Sequence, residues 1–214
     1  MRNKVSFDQE MLGIIGGFGV HSVKPWLLLH VCCAPCSSAV LEQMAGSFRI
    51  VVYFDNPNLD TGLEHGLRAG ETERLVRESG WAERVIVTPY DPSAFQFAVN
   101  GLENEPEGGA RCAACFTLRL SRSAMTAREL GCNYFTTTLT VSPRKDAALL
   151  NRIGLEAGLK AGLPFLPSDF KKRGGYQRSI ALSREYGLYR QDYCGCAYSR
   201  HITENSPDGN NTSP

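Results

Sequence analysis

The order of strand-like and helix-like segments constrains the fold of this 214-residue chain more than any other feature. Short apolar runs, such as "WLLLHV" (26–31), "FRIVVYF" (48–54) and "RVIVTPY" (84–90), alternate with amphipathic stretches of helical periodicity. Two of these stretches, 63–80 and 146–162, end at a glycine, which is a common helix stop. Strands separated by helices predict βαβ crossovers and a mainly parallel sheet flanked by helices.

Further segments extend this pattern. A helix is predicted over 37–46, with Ser37 or Ser38 as its N-cap and Gly46 as its end, and a Thr-rich strand over 133–140. Three more helices are predicted, a short one at "SAFQFAVNGL" and longer ones at 115–131 and 176–188.

We divide the chain into three parts. Residues 1–25 are an N-terminal extension, residues 26–202 a single α/β domain, and residues 203–214 a disordered tail that belongs to the polar stretch "HITENSPDGNNTSP".

Composition and cysteine content indicate the compartment. No apolar run approaches the length of a membrane span, and the N-terminal segment lacks the pattern of a signal peptide. We therefore expect a cytoplasmic protein with no membrane partner. Because thiols stay reduced there, eight cysteines favour metal or redox chemistry over structural disulfides.

Charge is distributed unevenly along the chain. Residues 1–110 hold 8 Lys and Arg against 14 Asp and Glu, whereas residues 111–200 hold 15 against 6. The basic half indicates either a polyanionic partner, most plausibly nucleic acid, or a solvated basic face.

Five cysteines are predicted at one edge of the sheet. Cys32, Cys33 and Cys36 follow the first strand where the next helix begins, and Cys112 and Cys115 form a CxxC at the start of another helix. The carboxyl ends of parallel strands are the usual ligand-binding edge, and helix N-termini favour thiolates. Four thiolates gathered there suit zinc or a [4Fe–4S] cluster, and spacing alone does not choose between them.

The remaining cysteines differ in context. Cys132 is predicted to lie in the core, as is His30, a packed and hydrogen-bonded histidine within an apolar strand. Cys194 and Cys196 flank one glycine in "DYCGCAYS". A disulfide across so small a ring would be strained and readily reduced, which makes it a poor staple and a plausible electron carrier.

Several long motifs together resemble a known family. They are "HVCCAPCSS", "NPNL", "GLENEPEGGARCAACFTLRL", "YFTTTLTVSPRKD", "SDFKKRGGY" and "LYRQDYCGCAYS". Over Leu27 to Ser199 the chain resembles epoxyqueuosine reductase of the QueH type. The resemblance implies an α/β, Rossmann-like fold of the HUP, adenine nucleotide α-hydrolase-like type. "CCAPCSS" stands where that fold usually carries a glycine-rich phosphate loop, which argues against use of ATP.

The resemblance also implies the reaction. Epoxyqueuosine at the wobble position of tRNA would be reduced to queuosine without cobalamin, the last step of queuosine synthesis, with electrons from an external donor. It further implies that Cys32, Cys33, Cys112 and Cys115 bind a [4Fe–4S] cluster and that Cys194 and Cys196 form a redox-active disulfide. Cys36 could replace Cys32 or Cys33, or bind an additional iron ion.

Residues around these motifs are candidates for the other roles. The acid for the departing oxygen could be Asp192, which we select as a tentative catalytic residue, Tyr193 or Asp169. Base stacking could involve Tyr176, Tyr189 or Tyr193. Candidate contacts to tRNA phosphates are Arg119, Arg144, Lys145, Lys171, Lys172, Arg173 and Arg178.

Two other functions remain open from the sequence. An iron–sulfur enzyme that thiolates tRNA shares the fold and the substrate class, but it requires an ATP-binding glycine loop. A zinc-stabilised RNA-binding module without catalysis explains four thiolates and the basic half, but it leaves the Cys194–Cys196 pair without a role.

Overall fold

The computed structural model describes residues 6–19, 23–191 and 193–204, which form eight α-helices and four β-strands. The helices are α1 (Phe7–Gly16), α2 (Ala34–Met44), α3 (Gly62–Ser79), α4 (Ser93–Ala98), α5 (Ala110–Glu129), α6 (Ala147–Ala161), α7 (Gly175–Glu185) and α8 (Ala197–Glu204). The strands are β1 (Trp26–His30), β2 (Arg49–Phe54), β3 (Arg84–Val87) and β4 (Tyr134–Thr137).

The four strands form one parallel sheet in the order β3-β2-β1-β4. Leu28 in β1 is paired with Val51 on one side and with Phe135 on the other. This confirms the predicted α/β class with a Rossmann-like parallel sheet. The chain builds outward from β1 through β2 to β3 and then returns to the other side of β1 as β4. The strand order therefore reverses between β1 and β4, and ligands bind at such a switch point in open parallel sheets.

Both faces of the sheet are covered, so β1 is apolar along its length. Leu27 and Leu29 pack into one core cluster together with residues of α2, while Leu28 packs into a second cluster together with residues of α5 and α6. All three leucines have no exposed surface. This alternation follows from the two-residue period of a strand, and it explains why a fully buried strand shows a continuous apolar run.

Two predicted segments differ from the structure where they approach the site. Helix α2 begins at Ala34 with Cys33 as its N-cap, because Pro35 fits the first helical turn; Ser37 and Ser38 lie inside the helix and donate to backbone carbonyls. The Thr-rich segment is a strand only to Thr137. It then turns into a short 3₁₀ helix, Thr138–Val141, where the Thr137 hydroxyl accepts from the backbone N–H of Leu139.

Helices lie near both ends of the described part of the chain. Helix α1 lies within the predicted extension and buries Met11 in the first core cluster. At the other end α8 continues to Glu204, so the first two residues of the predicted disordered tail, 203 and 204, lie in a helix. Residues 205–214 lie outside the described part of the chain. The division into extension, domain and tail stays a prediction.

Candidate active site at the carboxyl edge of the sheet

Three cysteines meet directly after β1. Cys32 follows the strand, Cys33 caps α2, and Cys36 lies in the first turn of that helix. Their sulfur atoms lie within 4.8 Å of one another, and the Cys32 and Cys33 sulfurs are 3.7 Å apart. We call these three residues the thiol cluster. The Cys32 sulfur is also 4.0 Å from the hydroxyl oxygen of Thr138, so the cluster lies at the switch point between β1 and β4.

The thiol cluster has the electrostatics of a metal site. Hydrogen bonds from the Cys33 and Cys36 thiols hold the pKa of Cys32 well below its usual range. Burial raises the pKa of Cys33 to about 12, and the hydrogen bonds with Cys32 and Cys33 raise the pKa of Cys36 well above its usual value. The hydrogen bonds among the three thiols thus favour the thiolate form at Cys32, and a soft metal ion would displace the thiol protons and be bound by all three sulfurs.

The CxxC at the start of α5 lies outside the thiol cluster. Cys112 accepts a hydrogen bond from the backbone N–H of Gly108 at 3.3 Å, and it packs against the same core cluster as Cys32. Cys115 is buried against Phe95, and burial raises its pKa to about 11. Among the described residues, neither sulfur belongs to the group within 4.8 Å. The predicted ligand set therefore stays a prediction for Cys112 and Cys115.

A network of buried polar side chains packs against this edge of the sheet. The Arg119 Nε–H donates to His30 Nε2 at 3.3 Å, and the His30 Nδ1–H then donates to the Thr137 hydroxyl at 2.8 Å. Burial, reinforced by the Arg119 charge, lowers the pKa of His30 to about 3, so His30 is neutral. Its packed and hydrogen-bonded position confirms the prediction from the sequence. Arg119 also donates to Asn56, whose amide group donates to the Val31 carbonyl. This network therefore ties the loop after β1 to α5.

The expectation that Arg119 contacts a tRNA phosphate does not fit this position. Its side chain is 1% exposed and is bonded to His30 and Asn56. A buried guanidinium in this position acts instead as a fixed positive charge behind the thiol cluster. In the sequence, the residues around Arg119 have the pattern of an exposed basic helix face. Only the packing of α5 against β1 shows that the Arg119 side chain is buried.

The second cysteine pair lies in the loop that contains Cys194, Gly195 and Cys196, which we call the CGC loop. Both cysteines are free thiols in the structure. The Cys194 sulfur accepts a hydrogen bond from Lys145 Nζ at 3.2 Å, whereas Cys196 packs with Cys115 in a small apolar cluster. The loop is anchored by its backbone, because the Cys194 carbonyl accepts from Arg68 at 3.2 Å. The two thiols therefore have different environments.

A cavity of about 380 Å³ connects these features. Cys32, Cys36 and Cys194 all line this cavity. Five cationic side chains also line the cavity: Arg68, Arg119, Arg144, Lys145 and Arg190. A cavity of this size accepts a nucleoside-sized group, and its charge favours an anionic substrate or a developing negative charge.

Comparison with known proteins identifies the family. A model of the family "Epoxyqueuosine reductase QueH" matches residues 27–201. The chain belongs to the epoxyqueuosine reductase QueH family. A QueH protein of Streptococcus pyogenes serotype M1 is 41% identical over 200 residues, which is 92% of this chain and 78% of that protein. The relative from Staphylococcus epidermidis is 39% identical over 93% of this chain and 87% of its own length, and that from Thermotoga maritima is 33% identical over 81% and 89%. The family assignment made from the motifs is thus confirmed.

The other residues predicted for a QueH-family site are distributed as follows. Asp192 lies outside the described residues. Tyr193 lines the cavity, and its hydroxyl donates to Asp60 at 3.4 Å. Asp169 pairs with Lys171 at 3.1 Å. Tyr176 also lines the cavity, while Tyr189 is half-exposed and its hydroxyl lies near Glu64.

The remaining predicted phosphate contacts fall into two groups. Arg173 pairs with Asp8 at 3.0 Å and Arg178 with Glu42, so both cations face carboxylates of this chain. Arg144 and Lys172 are exposed, and Arg144 lines the cavity. Sequence reasoning on this QueH-family chain missed Asn56, Arg68 and the contact between Lys145 and Cys194. The "NPNL" and "SPRKD" motifs contain two of these residues, but their partners are distant in sequence.

Proposed function

We propose that this chain reduces the epoxide of epoxyqueuosine in tRNA to the alkene of queuosine, the last step of queuosine biosynthesis. The reaction takes up two electrons and two protons and releases the epoxide oxygen as water. One observation carries the proposal: Cys194 of the CGC loop and Cys32 and Cys36 of the thiol cluster line the same cavity. A dithiol that can store two electrons and a metal-binding thiol group would then act on one bound substrate.

The donor set fits an iron–sulfur centre. Thiolate is the ligand that such clusters use, and a [4Fe–4S] centre bound by Cys32, Cys33, Cys112 and Cys115 would supply single-electron transfer to the site. Arg119, fixed behind Cys32 through His30 and Asn56, would offset the negative charge that four thiolates introduce. Lys145, which lines the cavity together with Cys32, adds a second positive charge there.

Cys36 could bind metal in this site in two ways. Two thiolates that bind one metal ion tetrahedrally at about 2.3 Å have sulfurs about 3.8 Å apart. The 3.7 Å between the Cys32 and Cys33 sulfurs is close to this value, and Cys36 lies within 4.8 Å of both. This spacing supports Cys36 as a ligand, either in place of one cluster ligand or to an additional iron ion.

The proposed partners follow from the substrate. The tRNA would approach over the cationic side chains around the cavity, and an external donor of electrons would restore the dithiol after each turnover. We propose the cytoplasm as the location and no role for cobalamin. Among the described residues, no helix combines the length and apolar character that a membrane crossing requires.

The alternative of a zinc RNA-binding module has one observation in its favour, since the spacing in the thiol cluster also suits a single zinc ion. Visible absorption after anaerobic purification separates the two, because zinc sites are colourless and iron–sulfur clusters are brown. A thiolation enzyme is less well supported, since Cys33 and Pro35 begin α2 where an ATP-binding glycine loop would lie.

The test of the function is a Cys196→Ser variant assayed on tRNA that contains epoxyqueuosine. Cys196 packs outside the thiol cluster, so the variant should fold, keep its iron and bind tRNA, yet fail under multiple turnover because the disulfide cannot form. Cys132→Ala is the matched control, because Cys132 is buried in the core away from the cavity. Loss of iron by Cys196→Ser would assign the pair to the metal site, and normal turnover would exclude it from the chemistry.

A further inference from the structure

Lys145 brings a charged group to the one sulfur of the CGC loop that lines the cavity. Its Nζ donates to the Cys194 sulfur at 3.2 Å, and both residues line the cavity beside Cys32. We propose that Lys145 is the proton donor to the epoxide oxygen, and that through this contact its ammonium group pairs with the negative charge that Cys194 carries when the dithiol reacts. This inference rests on the proposed function and adds a catalytic residue to it.

The charges around Lys145 keep it protonated. The groups that face it are Cys194 in the CGC loop, Cys32 after β1 and Arg119 on α5, and the ring of Phe116 lies 5.5 Å from Nζ. Burial, the largest effect, lowers the pKa of Lys145, and so does the Arg119 charge, but the Cys194 and Cys32 sulfurs together outweigh them and raise the pKa above its usual value. The ammonium is therefore retained for as long as the neighbouring sulfur is negative.

The ion pair couples proton transfer to electron transfer. In the proposed step Cys194 reacts as the thiolate paired with the Lys145 ammonium, and Cys196 reacts as a thiol. When the dithiol gives its two electrons, the Cys194–Cys196 sulfur–sulfur bond forms and both carbon–oxygen bonds of the epoxide break. The oxygen takes one proton from Lys145 Nζ and one from Cys196. The products are an alkene, a disulfide and water, and reduction of the disulfide returns the proton to Lys145.

Other described groups at the cavity are less suited to this transfer. The guanidinium groups of Arg68, Arg119, Arg144 and Arg190 do not release a proton in proteins. The Tyr193 hydroxyl donates to Asp60 and accepts from Arg200 at 3.0 Å, and Glu107 is a solvent-exposed carboxylate at the rim. Lys145 combines a transferable proton with direct contact to the reacting sulfur.

The contact between Lys145 and Cys194 can be tested by an experiment that does not involve the enzymatic reaction. In the reduced, cluster-loaded protein, alkylation of Cys194 by iodoacetamide is followed by peptide mass spectrometry at pH 7. We expect Lys145→Met to slow alkylation of Cys194 at least about tenfold, because the thiolate loses its counterion. Lys145→Arg should remain near the wild-type rate, because the charge is kept. Lys160→Met, on the exposed end of α6, is the control and should change nothing. An unchanged rate in Lys145→Met would overturn the ion pair.

The donor role is tested by single-turnover conversion of epoxyqueuosine in tRNA by the same reduced proteins. Both Lys145→Met and Lys145→Arg should slow conversion by about 10²- to 10³-fold, with tRNA affinity within about threefold of wild type. Lys145→Arg keeps a charge of similar size and serves as the folding control. If Lys145→Arg converts normally, Lys145 supplies only charge and the donor role is overturned. Absence of conversion by the wild-type chain would instead overturn the proposed function, which distinguishes the two failures.

Discussion

Gly195 determines where the two thiols of the CGC loop point. Its φ is +108°, in a region that only glycine adopts readily, and its carbonyl accepts from the Asp60 N–H at 2.9 Å. A Cβ at this position would lie 2.4 Å from Leu59 Cδ2 and 2.9 Å from an Arg68 nitrogen. The backbone must therefore pass close to α3, with Cys194 toward the cavity and Cys196 toward Cys115.

Replacement of Gly195 should consequently impair the chemistry more than the fold. We expect Gly195→Ala to lower the free energy of unfolding by about 1–3 kcal/mol and to reduce conversion at least about tenfold, with iron content unchanged. Chemical denaturation, iron analysis and single-turnover assays measure these three effects. Gly187→Ala is the matched control, since Gly187 has a φ of +55° but open space around it, and it should affect stability alone. Wild-type conversion by Gly195→Ala would show that the loop geometry is not required.

At the scale of elements, α6 is positioned by two glycines that face the chain after it. A Cβ at Gly154 would lie 2.5 Å from the Phe165 ring, and one at Gly158 would lie 2.6 Å from the Leu163 carbonyl oxygen. Phe165 in turn bridges to Phe135 of β4. The close approach of α6 therefore supports β4, whose carboxyl end forms one side of the switch point.

This packing reverses the usual effect of alanine in a helix. We expect Gly158→Ala to lower the free energy of unfolding by about 1–3 kcal/mol, although alanine has the higher helix propensity, because the neighbouring backbone must move. At Gly70 in α3 an added Cβ would have open space around it, so Gly70→Ala should raise the free energy of unfolding by about 1 kcal/mol. Urea denaturation of the two variants gives the comparison. A stabilised Gly158→Ala would show that α6 can shift without cost.

For the whole molecule, the basic half of the sequence is not a uniform basic surface. Arg119 is buried, Lys145 contacts Cys194, and Lys171, Arg173 and Arg178 pair with carboxylates. Arg144 and Lys172 are exposed and lie in the segments on either side of α6. Cations that already face carboxylates gain less from a phosphate, so these two residues are the better candidates for tRNA contacts.

The salt dependence of tRNA binding tests this assignment. Replacing Arg144 and Lys172 together by Ala should weaken binding and reduce the slope of log K against log salt by about 2, one for each phosphate contact. Arg152→Ala combined with Lys160→Ala removes the same charge from the exposed face of α6 and should leave the slope unchanged. Equal effects of the two double variants would indicate a general field effect instead of specific contacts.

The sequence by itself determined the features that depend on local pattern. Periodicity and helix stops such as Gly80 and Gly162 located the four strands and helices α2 to α7 to within a few residues, although α1 and α8 were not predicted, and the cysteine motifs identified the family. These features can be predicted from the sequence because strand and helix periods, capping and glycine conformation depend on a few neighbouring residues.

Only the tertiary structure decided which side chains meet. Lys145 and Cys194 are 49 residues apart in sequence, and Arg119 and His30 are 89 apart. Such contacts depend on how α5 and the CGC loop pack against the carboxyl edge of the sheet, which no local period encodes. For the same reason the basic half of the sequence contains a buried arginine, a proposed proton donor and exposed candidates for tRNA binding. Burial, and not residue type, separates these roles.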